Sequence, residues 1–454
     1  MRRVAKRLLP LAAMAALTSW PAAAGEPDAN TASHEPDQEV VVGQRISIAG
    51  RRAISPEIAT GPDGAIYAIW LDKGPTADRP PPKPRKPGEH SHLSSTDLYL
   101  TRSDNGGRTW REPIRANREP GSVWGFAVSK PRIAVGDSGT VHIFYPANDI
   151  SPTTGLAVIA AHYTRSTDGG KTFEASRKIN SPAPTDQREM LRDGIGASHS
   201  FGTMGLAPDG TIMAFWLDAR DMQGPQDGAL VYATVSRDDG KSFGAEYLVV
   251  QGDACPCCQM TAAVGNDAVL LGYRHIYADG RDSTVARSDN SGKSFNTLAR
   301  LPFEPWAIDA CPLKPTAMAV DGAHVYAAAY TAGEDPGGIY FSRSSDGGKT
   351  FTGSTQIHPQ AAIADAPELT VAPDGAVRLV WHAKTTGPRR LFHSVSTDRG
   401  QTFSAPEELA TPDGSSAYPA TAAASDGRQF VVWQQEGEEI YVTSIQSKGG
   451  MASL

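Results

Sequence analysis

Four cysteines stand in two short stretches, Asp253-Ala254-Cys255-Pro256-Cys257-Cys258-Gln259-Met260 and Asp309-Ala310-Cys311-Pro312, so that Asp-Ala-Cys-Pro occurs twice. Three chemistries suit them. An even number of cysteines in an oxidising compartment favours disulfides, with Cys311 joined to Cys255, Cys257 or Cys258 and the remaining two closed into a tight, labile ring. Thiolates together with Met260 or His275 would suit copper(I) or zinc, the only cofactors these residue types suggest, although C-x-C-C is not a familiar zinc spacing. Thiol exchange is the third chemistry. Sequence alone leaves all three open.

Both cysteine stretches immediately precede the first strand of a recurring hairpin. An apolar strand, a turn and a second strand ending in an aromatic appear seven times, as SPEIATGPDGAIYAIWLD (55–72), KPRIAVGDSGTVHIFYP (130–146), GTMGLAPDGTIMAFWLD (202–218), QMTAAVGNDAVLLGYRH (259–275), TAMAVDGAHVYAAAYT (316–331), PELTVAPDGAVRLVWHA (367–383) and PATAAASDGRQFVVWQQ (419–435). Alternation and turn residues mark them as β-hairpins. A third strand follows each, and in six cases it runs into one octapeptide: SDNGGRTW (103–110), STDGGKTF (166–173), SRDDGKSF (236–243), SDNSGKSF (288–295), SSDGGKTF (344–351) and STDRGQTF (396–403). The Asp or Asn of each, namely Asn105, Asp168, Asp238, Asn290, Asp346 and Asp398, can bond the backbone that follows it, glycine accepts the awkward dihedral, and the aromatic buries under the turn. These residues are expected to be structural.

The octapeptides resemble the Asp boxes, or BNR repeats, of the sialidase superfamily. Six of them at intervals of 52 to 70 residues identify the chain as similar to that superfamily. The expected fold is an all-β, seven-bladed β-propeller with six Asp boxes. The seventh unit has a third strand, EEIYVTSI, but no Asp box; the segment from Gln38 to Gly50, QEVVVGQRISIAG, is expected to supply its fourth strand and close the ring.

In such a blade the Asp boxes and the turns of the hairpins share one face. The entries to first strands and the exits from second strands lie on the other, where sialidase relatives place their sites. That face would carry Asp72, Arg132, Asn148, Asp149, Arg192, Asp193, His199, Asp218, Arg220, Asp221, Arg274, His275, Trp306, Asp309, His382 and Tyr418 beside the cysteines. The resemblance implies three arginines gripping a substrate carboxylate, a tyrosine nucleophile polarised by a glutamate, and an aspartate acid–base. Arg132 resembles the first family arginine, with Arg220 and Arg274 as companions, and Tyr277, Tyr330 and Tyr418 lie near suitable positions. No Tyr–Glu pair is legible, and seven blades depart from the six usual in sialidases. The expectation is therefore a sialidase-like propeller that binds a small molecule or glycan at a rim pocket, with Arg132, Arg220, Arg274, His275 and Asp309 as ligand-binding candidates. A glycoside hydrolase of sialidase type and a soft-metal or redox protein are the alternatives.

Residues 1–24 carry Arg2, Arg3, Lys6 and Arg7, an apolar run and Ala22-Ala23-Ala24, the pattern of a signal peptide, which places the protein in the periplasm or outside the cell. Its loss takes the formal net charge from -7 to -11, four positive charges fewer, which argues against nucleic acid as a partner. No later stretch is long and apolar enough for a membrane span. The expected organisation is signal peptide 1–24, a flexible segment 25–37, a single propeller domain 38–447 with a proline-rich insertion at 73–96 containing His90 and His92, and a tail 448–454.

Overall fold

The computed structural model describes residues 43–75, 95–150, 157–181, 199–222, 227–265 and 268–445. The expectations for segments 1–24, 25–37 and 448–454, for most of the insertion with His90 and His92, and for Arg192 and Asp193 fall outside them. Among the described residues there is no helix, and none long and apolar enough to cross a membrane. The strands form five four-stranded sheets and one eight-stranded sheet, all antiparallel and built of sequence-adjacent hairpins. The eight-stranded sheet consists of two such quartets that meet at a single residue pair, Ala254 with His275.

One quartet shows how the sequence builds a unit. Strands Ile363–Val371, Val377–Lys384, Arg390–Ser396 and Glu407–Glu408 pair in that order. The second strand, VRLVWHAK, is buried along all but its last residue. A central strand covered on both faces by neighbouring sheets reads as a nearly continuous apolar run rather than an alternation. Trp381, with Trp70, Trp216 and Trp433 in corresponding second strands, is fully buried.

The first strands of successive units, Arg51–Thr60, Arg132–Val135, His199–Leu206, Thr261–Val264, Thr316–Asp321, Ile363–Val371 and Ser416–Ala423, each touch the next, and the last touches the first. One apolar cluster joins Ile58 and Trp70 of the first unit to Phe430, Val432 and Ile46. Gln44–Arg45 pairs with Glu439–Ile445 in the register Gln44 with Val442 and Arg45 with Tyr441, and the amides of Ile46 and Ser47 donate to Ile440 O. This pairing is shorter than the span from Gln38 to Gly50 would allow. The chain turns at Ile48–Gly50, where Gly50 has φ +75°, and then enters the first strand.

The Asp boxes lie between third and fourth strands. Asp346 Oδ1 accepts from the amides of Lys349 and Thr350 at 3.0 Å each, its Oδ2 accepts from Thr350 Oγ1 at 2.6 Å, and Gly348 N donates to Ser344 Oγ at 2.9 Å. Asp168, Asp238 and Asp398 accept the same amide and hydroxyl bonds, and Asn105 and Asn290 make the amide equivalents. The bonds together hold the Asp168 carboxyl at about 2, below the ordinary range, against a smaller cost of desolvation.

Candidate functional site

The first strands carry a second repeated feature. Ser55, Phe201, Ala366 and Tyr418 have φ of +56°, +50°, +50° and +52°, each at a register shift in its strand, and Leu313 has φ +56° just before Thr316–Asp321. For a residue with a Cβ this left-handed backbone is strained, and such strain gathers at functional sites. Proline follows directly in Ser55-Pro56, Ala366-Pro367 and Tyr418-Pro419, and one residue later in Leu313-Lys314-Pro315. A bulge re-aims the next side chains, and a proline there needs no ladder partner.

The heads of the first strands, bulged and regular alike, bring polar side chains together. Lys130, Arg132, Gln259, Asp365, Glu368 and Tyr418 line one pocket that the first strands surround, together with residues next to Lys314. Lys130 Nζ donates to Glu368 Oε1 at 2.7 Å and to Pro419 O at 2.5 Å. Arg132 Nη1 meets Glu57 Oε2 at 2.6 Å while Nη2 donates to Met260 O at 2.9 Å. Lys314 pairs with Asp365 and lies 4.7 Å from the Tyr330 ring centre. Gln259 accepts from Lys130 N at 3.0 Å and donates to Gly202 O. Three cations thus face three carboxylates. Burial pushes the Glu57 carboxyl up, against the pull of Arg132 and Lys130. His382 accepts from Tyr418 N at 3.1 Å, and burial pushes its imidazole down to about 4. The free space is only ≈ 30 Å³. That admits a water or two, or one group of a ligand, and not a sugar ring.

The other arginine candidates lie apart from this pocket. Arg220 is clamped by Asp218 at 2.6 Å and Glu246 at 2.8 Å, with its guanidinium 4.0 Å from the Tyr232 ring centre. His199 Nε2 sits 3.2 Å from the same fully buried Asp218, whose carboxyl these partners hold below the ordinary range despite its burial. Arg274 is buried and donates to Arg281 O at 2.6 Å and Tyr330 O at 2.8 Å, with Trp306 beneath it. The three arginines therefore share no partner. Among the described residues the one tyrosine hydroxyl that donates to a glutamate is Tyr441, to its neighbour Glu439 on the last strand. Asp309 is exposed, and Asp72 holds Arg51 at 2.8 Å. Glu57, Lys130, Gln259, Lys314, Asp365 and Glu368 were absent from the sequence-based selection. Their signal was a charged or amide residue at the head of an apolar first strand, as in SPEIA, KPRIA and APELT.

The cysteines sit beside this pocket, since Gln259 follows Cys258 and Leu313 comes two residues after Cys311. All four are free thiols; no pair is joined by a disulfide. The Cys255 sulfur lies 3.9 Å from that of Cys257 and 3.6 Å from that of Cys258, far beyond the bonded distance of about 2.0 Å. Cys311, exposed in the loop of the neighbouring unit, lies near Cys255 and Cys257 but outside the group of three sulfurs within 4.8 Å of one another that Cys255, Cys257 and Cys258 form. His275 bonds Tyr273 at 2.9 Å and packs on Tyr277, and Met260 lies in the apolar core. His275 does not belong to the group of three clustered thiols.

Residues 260–448 match the BNR repeat-like domain. Over those residues the chain is similar to BNR-repeat proteins. Its β-propeller fold is similar to that of an ulvan lyase, a polysaccharide lyase, with a TM-score of 0.54 and 14% identity over 89% of this chain and 96% of the other. A protein of unknown function from Dyadobacter fermentans aligns at 17% identity over 89% of this chain and 97% of its own, with a TM-score of 0.48. A sialidase from Streptococcus pneumoniae aligns at 14% identity over 89% and 70%, with a TM-score of 0.46. No curated protein matches this chain. At these identities the likeness is one of fold.

Proposed function

We propose that the chain is an exported, seven-bladed propeller, closed by its N-terminal strand against the last blade, that binds a hydroxyl-rich small molecule or glycan at the mouth where the first strands meet. The observation that carries the reading is the convergence of strained, bulged first strands from different blades on one set of polar side chains. Contact of the last first strand with the first, and the pairing of Gln44–Arg45 with Glu439–Ile445, support the ring.

The balance of charge selects the ligand class. Lys130, Arg132 and Lys314 are already matched by Glu368, Glu57 and Asp365. A polyanion would have to displace buried carboxylates from their partners, which is costly. Hydroxyls can accept from the cations and donate to the carboxylates without leaving either unpaired. The ligand presents one such group to the small cavity and rests the remainder on the open face. A structural relative, an ulvan lyase, is described in complex with an acidic, sulfated disaccharide. The ligand proposed here is a less charged sugar.

Screening the mature chain on a glycan array and titrating the hits by calorimetry tests the reading. Lys314→Met is expected to weaken binding at least tenfold while leaving the melting temperature nearly unchanged, because the lysine is partly exposed. Binding unaffected by Lys314→Met and by Tyr418→Phe would place the ligand elsewhere. Sialoside hydrolysis is expected to be absent or trace, since Arg132, Arg220 and Arg274 have separate partners. Robust turnover lost in Arg132→Ala would overturn that expectation.

A further inference from the structure

We propose that Cys255, Cys257 and Cys258, with Cys311 from the loop of the next blade, form a thiolate site for a single soft, closed-shell metal ion, zinc(II) or copper(I). The geometry is the first argument. Metal–sulfur bonds of about 2.3 Å in a tetrahedron set its sulfur–sulfur edges at about 3.8 Å. The sulfur–sulfur separations are 3.6 and 3.9 Å, and the three thiols lie within 4.8 Å of one another. Sulfurs this close can surround one ion. The donor set is all sulfur, because His275 is turned to Tyr273 and Asp309 is exposed, and thiolates select zinc and copper(I) over harder ions.

Charge is the second, independent argument. Arg274 is 1% exposed, yet both of its bonded partners are neutral carbonyls, and among the described residues no carboxylate pairs with it. A buried cation without a counter-charge is costly. Arg281 Nη1 lies 3.9 Å from the Cys255 sulfur and sets a second guanidinium against the thiol group. Four thiolates on zinc(II), or three on copper(I), carry two negative charges in excess of the metal. The two guanidiniums neutralise them. Four neutral thiols would leave the buried charge of Arg274 unanswered.

The frame is rigid as well. Cys255 N donates to Arg274 O at 2.8 Å, directly beside the Ala254–His275 pair that joins two quartets into one sheet. Backbone fixed in this way holds sulfur positions before any ion arrives, the condition a metal site needs. In an oxidising compartment four adjacent thiols persist only when something occupies them, and a bound ion does so.

The test uses the full mature chain, reduced and stripped of metal without oxygen, then offered zinc(II) or copper(I) against a chromophoric competitor. One ion per chain is expected, with the ligand cysteines shielded from alkylation as counted by mass spectrometry. Cys255→Ser is expected to lower affinity at least a hundredfold for either ion. Cys311→Ser separates the two: it abolishes tight zinc binding if four thiolates are needed, and spares copper(I) if three suffice. Should the serine variants fail to fold, the alkylation pattern of the wild-type chain decides. Thiols that react equally with and without either ion, or that close into two disulfides no metal can prevent, would overturn the site. The outcome is independent of whether a glycan binds at the neighbouring mouth.

Discussion

Burial sets the acid–base behaviour of the buried histidines in this molecule, while partners set that of the buried carboxylate Asp218. The imidazoles of His142, His162 and His382 are each pushed down by burial from 6.5 to about 4. In the unfolded chain they regain the ordinary value, so between about pH 6.5 and pH 4 the unfolded state binds more protons. Their contribution to stability is therefore present above about pH 6.5 and is lost as the pH falls toward 4, by at most about 3 kcal/mol for each histidine. Asp218 acts in the same direction at lower pH: its folded carboxyl lies below the ordinary range, so its contribution is present above about pH 4 and disappears with further acidification. Calorimetric melting from pH 7 to pH 4 is expected to show a steady fall in melting temperature, and His382→Gln to make the fall shallower. A melting temperature flat across that interval would contradict the burial argument.

At the scale of the element, the Asp box is a turn whose residues divide by dihedral. Its first turn glycine, as in Gly169 and Gly347, is replaced by Asp239, Ser291 and Arg399 at φ +62°, +56° and +58°. Side chains with a Cβ are strained there. Ser291→Gly is accordingly expected to raise stability by up to about 1 kcal/mol. Asp346→Ala removes several amide and hydroxyl bonds at once and is expected to cost on the order of 1 kcal/mol for each. Neither change should alter ligand affinity in the folded fraction, because these turns connect third and fourth strands, away from the bulged first strands. Equilibrium urea unfolding beside calorimetric titration checks both halves. The bulges differ in kind: their strain is not relieved by glycine, since the side chains of Ser55 and Tyr418 are themselves engaged. Ser55 Oγ donates to Phe126 O at 3.0 Å, and the Tyr418 ring packs edge-on against His382 at 5.3 Å.

For the whole molecule the decisive contact is the one between chain ends. A ring of sheets leaves two exposed edges unless its last unit is completed, and an exposed edge invites aggregation. Gly43 is where this can be probed without deletion, because a Cβ there would come 2.0 Å from the Trp433 ring. Gly43→Ala is expected to push the closing strand off the last sheet, lowering the melting temperature by several degrees and raising aggregation on heating. Removal of residues 38–50 is expected to do the same more severely. A truncated chain that melts at the wild-type temperature would show that closure does not depend on this segment.

The repeats were legible because each encodes a local solution: the turn bonds of STDGGKTF and the apolar second strand of VRLVWHAK depend on residues within one hairpin. The propeller fold and the structural nature of the octapeptides follow from that locality. The mouth was not legible, for its members come from different units, with Glu57, Lys130, Lys314 and Glu368 separated by 73, 184 and 54 residues in turn. A charged residue at the head of a strand says nothing of its partner until the units are arranged around a common centre. The arginines show the same limit in reverse. Arg132, Arg220 and Arg274 occupy comparable places in sequence, but Glu57, the Asp218–Glu246 pair and two backbone carbonyls draw them in different directions. Only the tertiary structure decided that, because a long cation goes to whatever anion or carbonyl the neighbouring units leave within reach, and the neighbours are set by the closing of the sheets rather than by spacing along the chain.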